Sequence, residues 1–173
     1  MTNGLKPHFM MFARYNQWAN GRLFDAAAEL SDDDYRRDRG AFFKSVHGTL
    51  NHLLTTDLIW LRRLTGVGEA PDRLDAILFE RLPDLRAARE VQDRRLRTWI
   101  ESLDPSAFDG IFRYSRVSTP EVFEQKLAPA LFHLFNHQTH HRGQAHALLT
   151  AAVSRAPELD LVYFQRLSES GAA

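Results

Sequence analysis

The strongest constraint on the fold is a spacing of apolar side chains that recurs at three- and four-residue steps in four long stretches. These stretches are residues 7–30, 45–64, 83–103 and 124–153. Since 3.6 residues make one helical turn, this spacing puts the apolar side chains of each stretch on one face. The sequence therefore predicts four amphipathic helices that pack through those faces as an all-α, four-helix bundle.

Local signals place some of the boundaries. Pro7 suits a first helical turn, Ser45 is an expected N-cap, and Gly66 is the expected end of the second helix. The second and third helices are separated by about twenty residues, so we expect at least one long crossover connection. Residues 108–125 predict a short hairpin or loop between helices three and four, and residues 154–167 predict one further turn or short helix.

The composition of the chain limits which binding partners and which cellular compartment we expect. The 173 residues include 22 basic and 22 acidic side chains, so no net charge draws the chain toward nucleic acid or anionic lipid. Arginine pairs such as Arg36 and Arg37 alternate with acidic residues, which is typical of solvated helix faces. The N-terminus lacks a secretory-signal layout, no apolar run reaches the ~18–20 residues that span a bilayer, and there is no cysteine. We therefore expect one cytoplasmic domain over residues 1–173 that binds neither nucleic acid nor membrane.

The fourth predicted helix carries an unusual density of histidine, with three in the stretch FNHQTHHRGQ at residues 135–144. On a helical wheel His137 and His141 are neighbours on adjacent turns at the margin of the apolar face, whereas His140 and His146 point elsewhere. Two imidazoles one turn apart can converge on a metal ion, but an ion needs at least one more ligand from elsewhere. The spacing also fits ring packing or a surface position.

Two other positions of this helix are unusual. Gln138 and Arg142 fall in or beside the apolar arc, and a buried arginine needs a partner. Asp57, within the leucine stripe of the second helix, is one candidate partner; alternatively, Arg142 is half-buried and faces a second subunit. Gly143 costs roughly 1 kcal/mol relative to alanine inside a helix, so we expect a neighbouring helix to approach closely there.

Three segments, in the same order along the chain, resemble the DinB family of DinB/YfiT-like metalloenzymes. They are RYNQWAN at residues 14–20, TLNHLLTTDLIWLRRL at 49–64 and LFNHQTHHRGQ at 134–144. The resemblance covers nearly the whole chain. It implies a four-helix bundle with a long crossover, commonly a homodimer, and a divalent metal held by one histidine of the second helix and two of the fourth. Those residues are His52, His137 and His141.

The residues themselves favour these ligands unequally. The helical wheel favours His137 and His141, whereas His52 lies off the leucine stripe of its helix, on the side of Thr56 and Ile59. Substitutes for His52 are His47, Asp57 and His133, and His133 is the strongest of these because it lies one turn before His137. For the remaining histidines we expect ordinary structural or surface roles, namely His8, His47, His140 and His146.

Three neutral nitrogen ligands leave a divalent ion its full charge and an open position, as in catalytic sites. Zinc is the first expectation, and nickel, iron or manganese accept the same ligands. Relatives in the family include transferases and isomerases that use small thiols, so the resemblance implies activation of a low-molecular-weight thiol or, more loosely, of water. No general base is evident, although Asp160 is a candidate. The alternative is a non-catalytic, stress- or damage-inducible dimeric bundle with a closed metal site.

Overall fold

The computed structural model describes residues 4–115, 121–153 and 157–171. Its helices are α1 (Leu5–Ala27), α2 (Asp32–Arg36), α3 (Val46–Thr65), α4 (Leu82–Ser102), α5 (Leu127–Val153) and α6 (Leu161–Glu169). A short 3-10 helix (Pro105–Asp109) and an antiparallel hairpin of β1 (Ile111–Ser115) and β2 (Val122–Lys126) lie between α4 and α5. The chain is thus mostly helical, and its four long helices correspond to the four predicted stretches.

The predicted end signals of α3 are confirmed. The Ser45 hydroxyl accepts a hydrogen bond from the Gly48 N–H, and Gly66 ends the helix in the left-handed conformation with φ 73°. The fourth predicted helix starts too early, because residues 124–126 belong to β2 and pair with β1. Periodicity did not reveal α2, whose five residues are too few to show a repeating apolar face.

The long helices form a square bundle. Both α1 and α3 pack against α4 and against α5, which places α1 and α3 at opposite corners. The connection from α1 to α3 therefore runs between opposite corners, and so does the segment with the hairpin from α4 to α5. The long loop between α3 and α4 instead joins neighbouring helices. Among the described residues, no helix is both long and apolar enough to cross a membrane.

The interior consists of two apolar clusters. One contains Phe9, Leu96, Phe108 and Leu131, and the other contains Leu23, Leu50, Leu85 and Leu149. Between them, each long helix contributes buried polar residues, which we call the polar layer: Asn16, Asn20, Asp57, Arg89, Gln92, Asp93, Gln138 and Arg142.

Hydrogen bonds and ion pairs join the polar layer across all four helices. Arg89 lies 2.7 Å from the Asp57 carboxylate and 2.9 Å from that of Asp93. Asn16 and Asn20 donate to Asp93 at 3.1 and 3.2 Å. Two carboxylates and two guanidiniums make the layer formally neutral, which lowers the cost of burying each charge.

The structure corrects two expectations for α5. Arg142 is buried within the chain, and it donates to the Asn16 side chain and to the Thr139 hydroxyl rather than pairing with Asp57. Asp57 accepts from Gln138 at 2.5 Å and pairs with Arg89. Gly143 is exposed, and an added Cβ would meet nothing within 4 Å, so the expected close helix approach there is wrong.

Candidate metal centre

Three imidazoles from two helices meet at one point; we call His52, His137 and His141 the histidine trio. The Nε2 atom of His141 lies 3.2 Å from Nε2 of His52 on α3 and 3.1 Å from Nε2 of His137 on its own helix. One ligand atom from each residue lies within 4.8 Å of the others. The three histidines named from the sequence are therefore brought together, including His52, which the helical wheel did not favour.

The second ring nitrogens fix two of the three tautomers. Nδ1 of His52 lies 2.7 Å from the carbonyl oxygen of Leu74. A carbonyl only accepts, so Nδ1 carries the proton and Nε2 of the neutral ring presents a lone pair. Likewise Nδ1 of His141 lies 2.8 Å from Oε1 of Gln144. Two Nε2 lone pairs thus face each other at 3.2 Å, where they cannot hydrogen-bond and where a cation would be stabilised.

The surroundings keep these rings neutral. Burial lowers the pKa of His52 to about 4, even though the bond to Leu74 opposes the shift. Burial, and next the proximity of His141, lowers the pKa of His137 to about 3. Burial also lowers the pKa of His141. Near neutral pH the trio therefore offers unprotonated nitrogens, which is the form that binds metal.

The distances fit a metal ion. Nitrogen ligands at ~2.0–2.1 Å from a tetrahedral ion lie about 3.3 Å apart. The Nε2 separations of 3.1 and 3.2 Å are close to that value. Hydrogen bonding of the outer ring nitrogen to a carbonyl or amide is also the usual support of a metal-binding histidine. Three neutral imidazoles suit zinc, nickel, iron or manganese, so the trio can hold a divalent ion.

The loop between α3 and α4 supplies the outer support of His52. Asn51 holds this loop, since its side-chain oxygen accepts from the backbone N–H groups of Leu78 and Phe79 at 2.9 and 3.0 Å. The same loop presents the Leu74 carbonyl to His52. Asn51 lies in the motif that carried the family resemblance, but a backbone carbonyl leaves no signal in a sequence. Gln144 leaves a clearer signal, because it lies three residues after His141 and therefore on the same face of the helix.

An aromatic ring covers the trio from the segment that precedes α3. The ring of Phe43 stacks on His52 with centroids 3.7 Å apart and meets His141 edge-on at 5.5 Å. Gly48 allows this approach, because a Cβ there would collide with the Phe43 carbonyl. Lys44 adopts φ 67°, a left-handed conformation that costs energy for a residue with a Cβ. Phe43 therefore shields one side of the trio from water.

The trio reaches a cleft through His137. This half-buried ring lines a cleft of about 450 Å³, together with His133, Trp60 and Thr56. His52 and His141 are more deeply buried, with 3% and 9% of their surface exposed. An ion held by the trio would therefore be reached from the cleft.

The other candidate residues lie outside the trio. His47 contacts the Phe79 carbonyl at 3.1 Å, and Asp57 belongs to the polar layer. His133 is exposed on the cleft wall, with its ring 5.8 Å from that of His137. Asp160 lies at the start of α6, which packs on α1. The remaining histidines take no part in the group, namely His8, His140 and His146.

Known proteins resemble this chain over most of its length. The sequence model of the DinB family matches residues 1–171, almost the entire chain. Protein DinB of Bacillus subtilis (strain 168) is 26% identical over 147 residues, which cover 80% of this chain and 82% of that protein.

Proposed function

The chain belongs to the DinB family, and from that premise we propose that it is a metal-dependent enzyme whose ion is held by His52, His137 and His141. The observation that carries the proposal is the pair of Nε2 lone pairs that face each other at 3.2 Å beside an accessible cleft. A closed site would have suited a structural ion, whereas access through His137 favours chemistry on a bound molecule.

We propose zinc as the resident ion, because zinc commonly binds histidine nitrogens, and the two separations from His141 Nε2 are close to the tetrahedral value. Nickel, iron or manganese are the other candidates. A bound divalent ion would supply Lewis acidity, which makes a thiol or a water molecule easier to deprotonate.

The residues of the chain would then have separate roles. The Leu74 carbonyl and Gln144 orient His52 and His141, so that their lone pairs are already directed at the ion. Phe43 excludes water from the parts of His52 and His141 that it contacts. The cleft binds the substrate, and its volume of about 450 Å³ suits a small molecule.

We further propose that the activated group is a low-molecular-weight thiol, which would make the protein an S-transferase; hydrolysis of a small molecule is the less specific form of the same proposal. The function is expected in a cytoplasmic homodimer. The deep burial of His52 and His141 also suits a second candidate, a non-catalytic bundle that an ion stabilises.

Thiol transfer tests the proposal. Zinc-loaded protein would be given a panel of low-molecular-weight thiols and an activated aryl chloride, and formation of the thioether, with release of chloride, would be followed by absorbance. We expect at least one thiol to react faster than in the absence of protein, and His137→Ala to abolish that increase. The control is His8→Ala, which alters an exposed ring on α1, outside the trio.

Two outcomes separate the candidates. Zinc-loaded protein that accelerates neither thiol transfer nor hydrolysis of activated esters would favour the non-catalytic bundle. Equal rates for wild type and His137→Ala would contradict a role of the trio in the reaction.

A further inference from the structure

Another cleft, of about 820 Å³, lies along α1 and is completed by α4 and α6; we call it the α1 cleft. It shares no lining residue with the cleft at His137. The charged residues that line it are Arg14, Arg22, Asp25 and Arg97. The Asp25 carboxylate pairs at 2.8 Å with Arg86, which lies outside the lining. The α1 cleft therefore has an excess of positive charge, which attracts anions.

Two of these arginines are oriented by adjacent residues of α1. The guanidinium carbon of Arg22 lies 5.0 Å from the centroid of the Trp18 ring, and its Nε donates to the Glu158 carbonyl at 3.0 Å. Arg97 donates from Nη1 to Oε1 of Gln17 at 3.2 Å. Within the described part of the chain, these hydrogen bonds engage one N–H group of each guanidinium, which has five. Both cations are therefore held in position and keep donors for an anion, which lowers the entropy lost on binding.

A glycine lies in the wall of the α1 cleft, next to the residues that orient the two cations. Gly21 is inside α1, four residues after Gln17 and three after Trp18. Side chains on a helix point toward its N-terminus, so a side chain at position 21 would cover the turn that contains Gln17 and Trp18. Glycine is less favourable than alanine inside a helix, yet a Cβ added at Gly21 would meet nothing within 4 Å. The missing side chain therefore leaves open space over the turn that orients both guanidiniums.

From this arrangement we propose that the α1 cleft binds a small phosphate monoester, whose phosphate lies over Gly21 and accepts hydrogen bonds from Arg22 and Arg97. A phosphate monoester carries up to two negative charges and three terminal oxygens, so it can bind both guanidiniums at once, whereas a carboxylate is matched by one. Arg14, about two turns before Arg22 on α1, adds a third positive charge to the same cleft. The volume of about 820 Å³ leaves room for the organic part of the ligand. This site is separate from the proposed function and does not depend on the metal ion.

Phenyl phosphate and phenyl sulfate are suitable probes, because they share shape and differ in charge at about pH 8, where the phosphate is doubly ionised. Their binding to the full chain would be measured by calorimetry at low ionic strength, in zinc-loaded protein and after removal of metal with a chelator. We expect phenyl phosphate to bind about tenfold tighter than phenyl sulfate in both forms, since one stronger charge-assisted hydrogen bond is worth about that factor. Arg22→Gln and Arg97→Gln should each weaken the binding of phenyl phosphate about tenfold.

A substitution of the glycine tests the position of the phosphate. Gly21→Leu fills the space over the same turn, so it should weaken the binding of phenyl phosphate by at least about tenfold. It should also raise the midpoint of thermal unfolding, because leucine is the better helix former. Gly143→Leu is the matched control, since Gly143 is another glycine inside a helix with nothing within 4 Å of an added Cβ. It should raise the midpoint and leave phenyl phosphate binding unchanged.

A second control separates the site from the overall charge of the protein. Arg81→Gln removes one positive charge at the other end of α4 and should change phenyl phosphate binding less than about threefold. A loss as large as that of Arg97→Gln would overturn the proposal, and so would unchanged binding by folded Gly21→Leu. Equal binding of the two probes by wild type would have the same consequence. Binding of phenyl phosphate that disappears when metal is removed would place the phosphate on the ion and also overturn it.

Discussion

The histidine trio and the polar layer occupy adjacent positions of the same helices, yet their chemistry is opposite. Leu53, the residue after His52, accepts a hydrogen bond at its carbonyl from Gln138 of the layer. His137 and His141 are followed directly by Gln138 and Arg142, which belong to the layer. In the layer, carboxylates meet a guanidinium and amide groups, so most charges have partners. In the trio, lone pairs face lone pairs beside an opening. Opposite charges that pair inside the core indicate a structural role, whereas lone pairs that converge beside an opening indicate a binding site.

The largest expected effect is a loss of stability when the polar layer loses its cation, and its absence would contradict this comparison. Arg89→Met leaves the carboxylates of Asp57 and Asp93 buried without their cation, and removal of one partner of a buried pair costs about 3–5 kcal/mol. Urea unfolding of metal-free protein would measure this loss. His137→Ala should cost less than about 2 kcal/mol in the same assay, because the ring is half-buried and lines a cleft.

Arg86→Met is the matched control, since this arginine of the same helix forms its ion pairs at the surface. It should change the free energy of unfolding by less than about 1 kcal/mol. If His137→Ala destabilised the metal-free protein as strongly as Arg89→Met, the trio would be part of the structural core.

Two glutamines of α5 give a sharper contrast. Gln144→Ala removes the group that orients His141 and should weaken zinc binding about tenfold, with little effect on unfolding. Gln138→Ala takes a donor from the buried Asp57 and should lower stability by about 1–3 kcal/mol, with little effect on zinc affinity. Competition with a chromophoric chelator and urea unfolding measure the two quantities. Equal effects of both variants on zinc affinity would remove the distinction between the regions.

The pH dependence of stability should have opposite signs in the two regions. The pKa of His52 is lowered from 6.5 to about 4, so the unfolded chain binds more protons in that window and stability rises with pH. The pKa of Asp57 is raised from 3.8 to about 6, chiefly by burial, so stability falls as pH rises through this range. In metal-free protein, His52→Gln should therefore make the slope of stability against pH between 4 and 6 more negative, and Asp57→Asn should make it more positive. Slopes that shift in the same direction would contradict these assignments.

The smallest expected effect concerns Gly143, on the exposed side of α5, where a substitution should affect neither the histidine trio nor the polar layer. Gly143→Ala adds a methyl group that meets nothing within 4 Å and restricts the unfolded chain, so it should stabilise by about 0.5–1 kcal/mol. Zinc affinity should stay unchanged. A loss of stability would show that this position has a packing role.

Sequence periodicity predicted the four long helices and placed Gln138 and Arg142 in or beside the apolar face of the last one, because both results depend on which face of a helix is apolar. Periodicity could not predict which helix supplies the partner of each buried polar side chain. Asp57 pairs with Arg89 of α4, and Arg142 binds Asn16 of α1. The convergence of His52 with the trio came from the family resemblance rather than from its wheel position. Phe43 and the Leu74 carbonyl come from irregular segments, where spacing carries no geometric information.

The most direct test of the account is the metal content of the protein purified without a histidine tag, reconstituted with zinc and passed over a desalting column. Wild type and the control His8→Ala should retain one equivalent per chain. The variants His52→Ala, His137→Ala and His141→Ala should each retain much less than one equivalent while remaining folded by circular dichroism. One equivalent bound by folded His137→Ala and His141→Ala would contradict the assignment of the site.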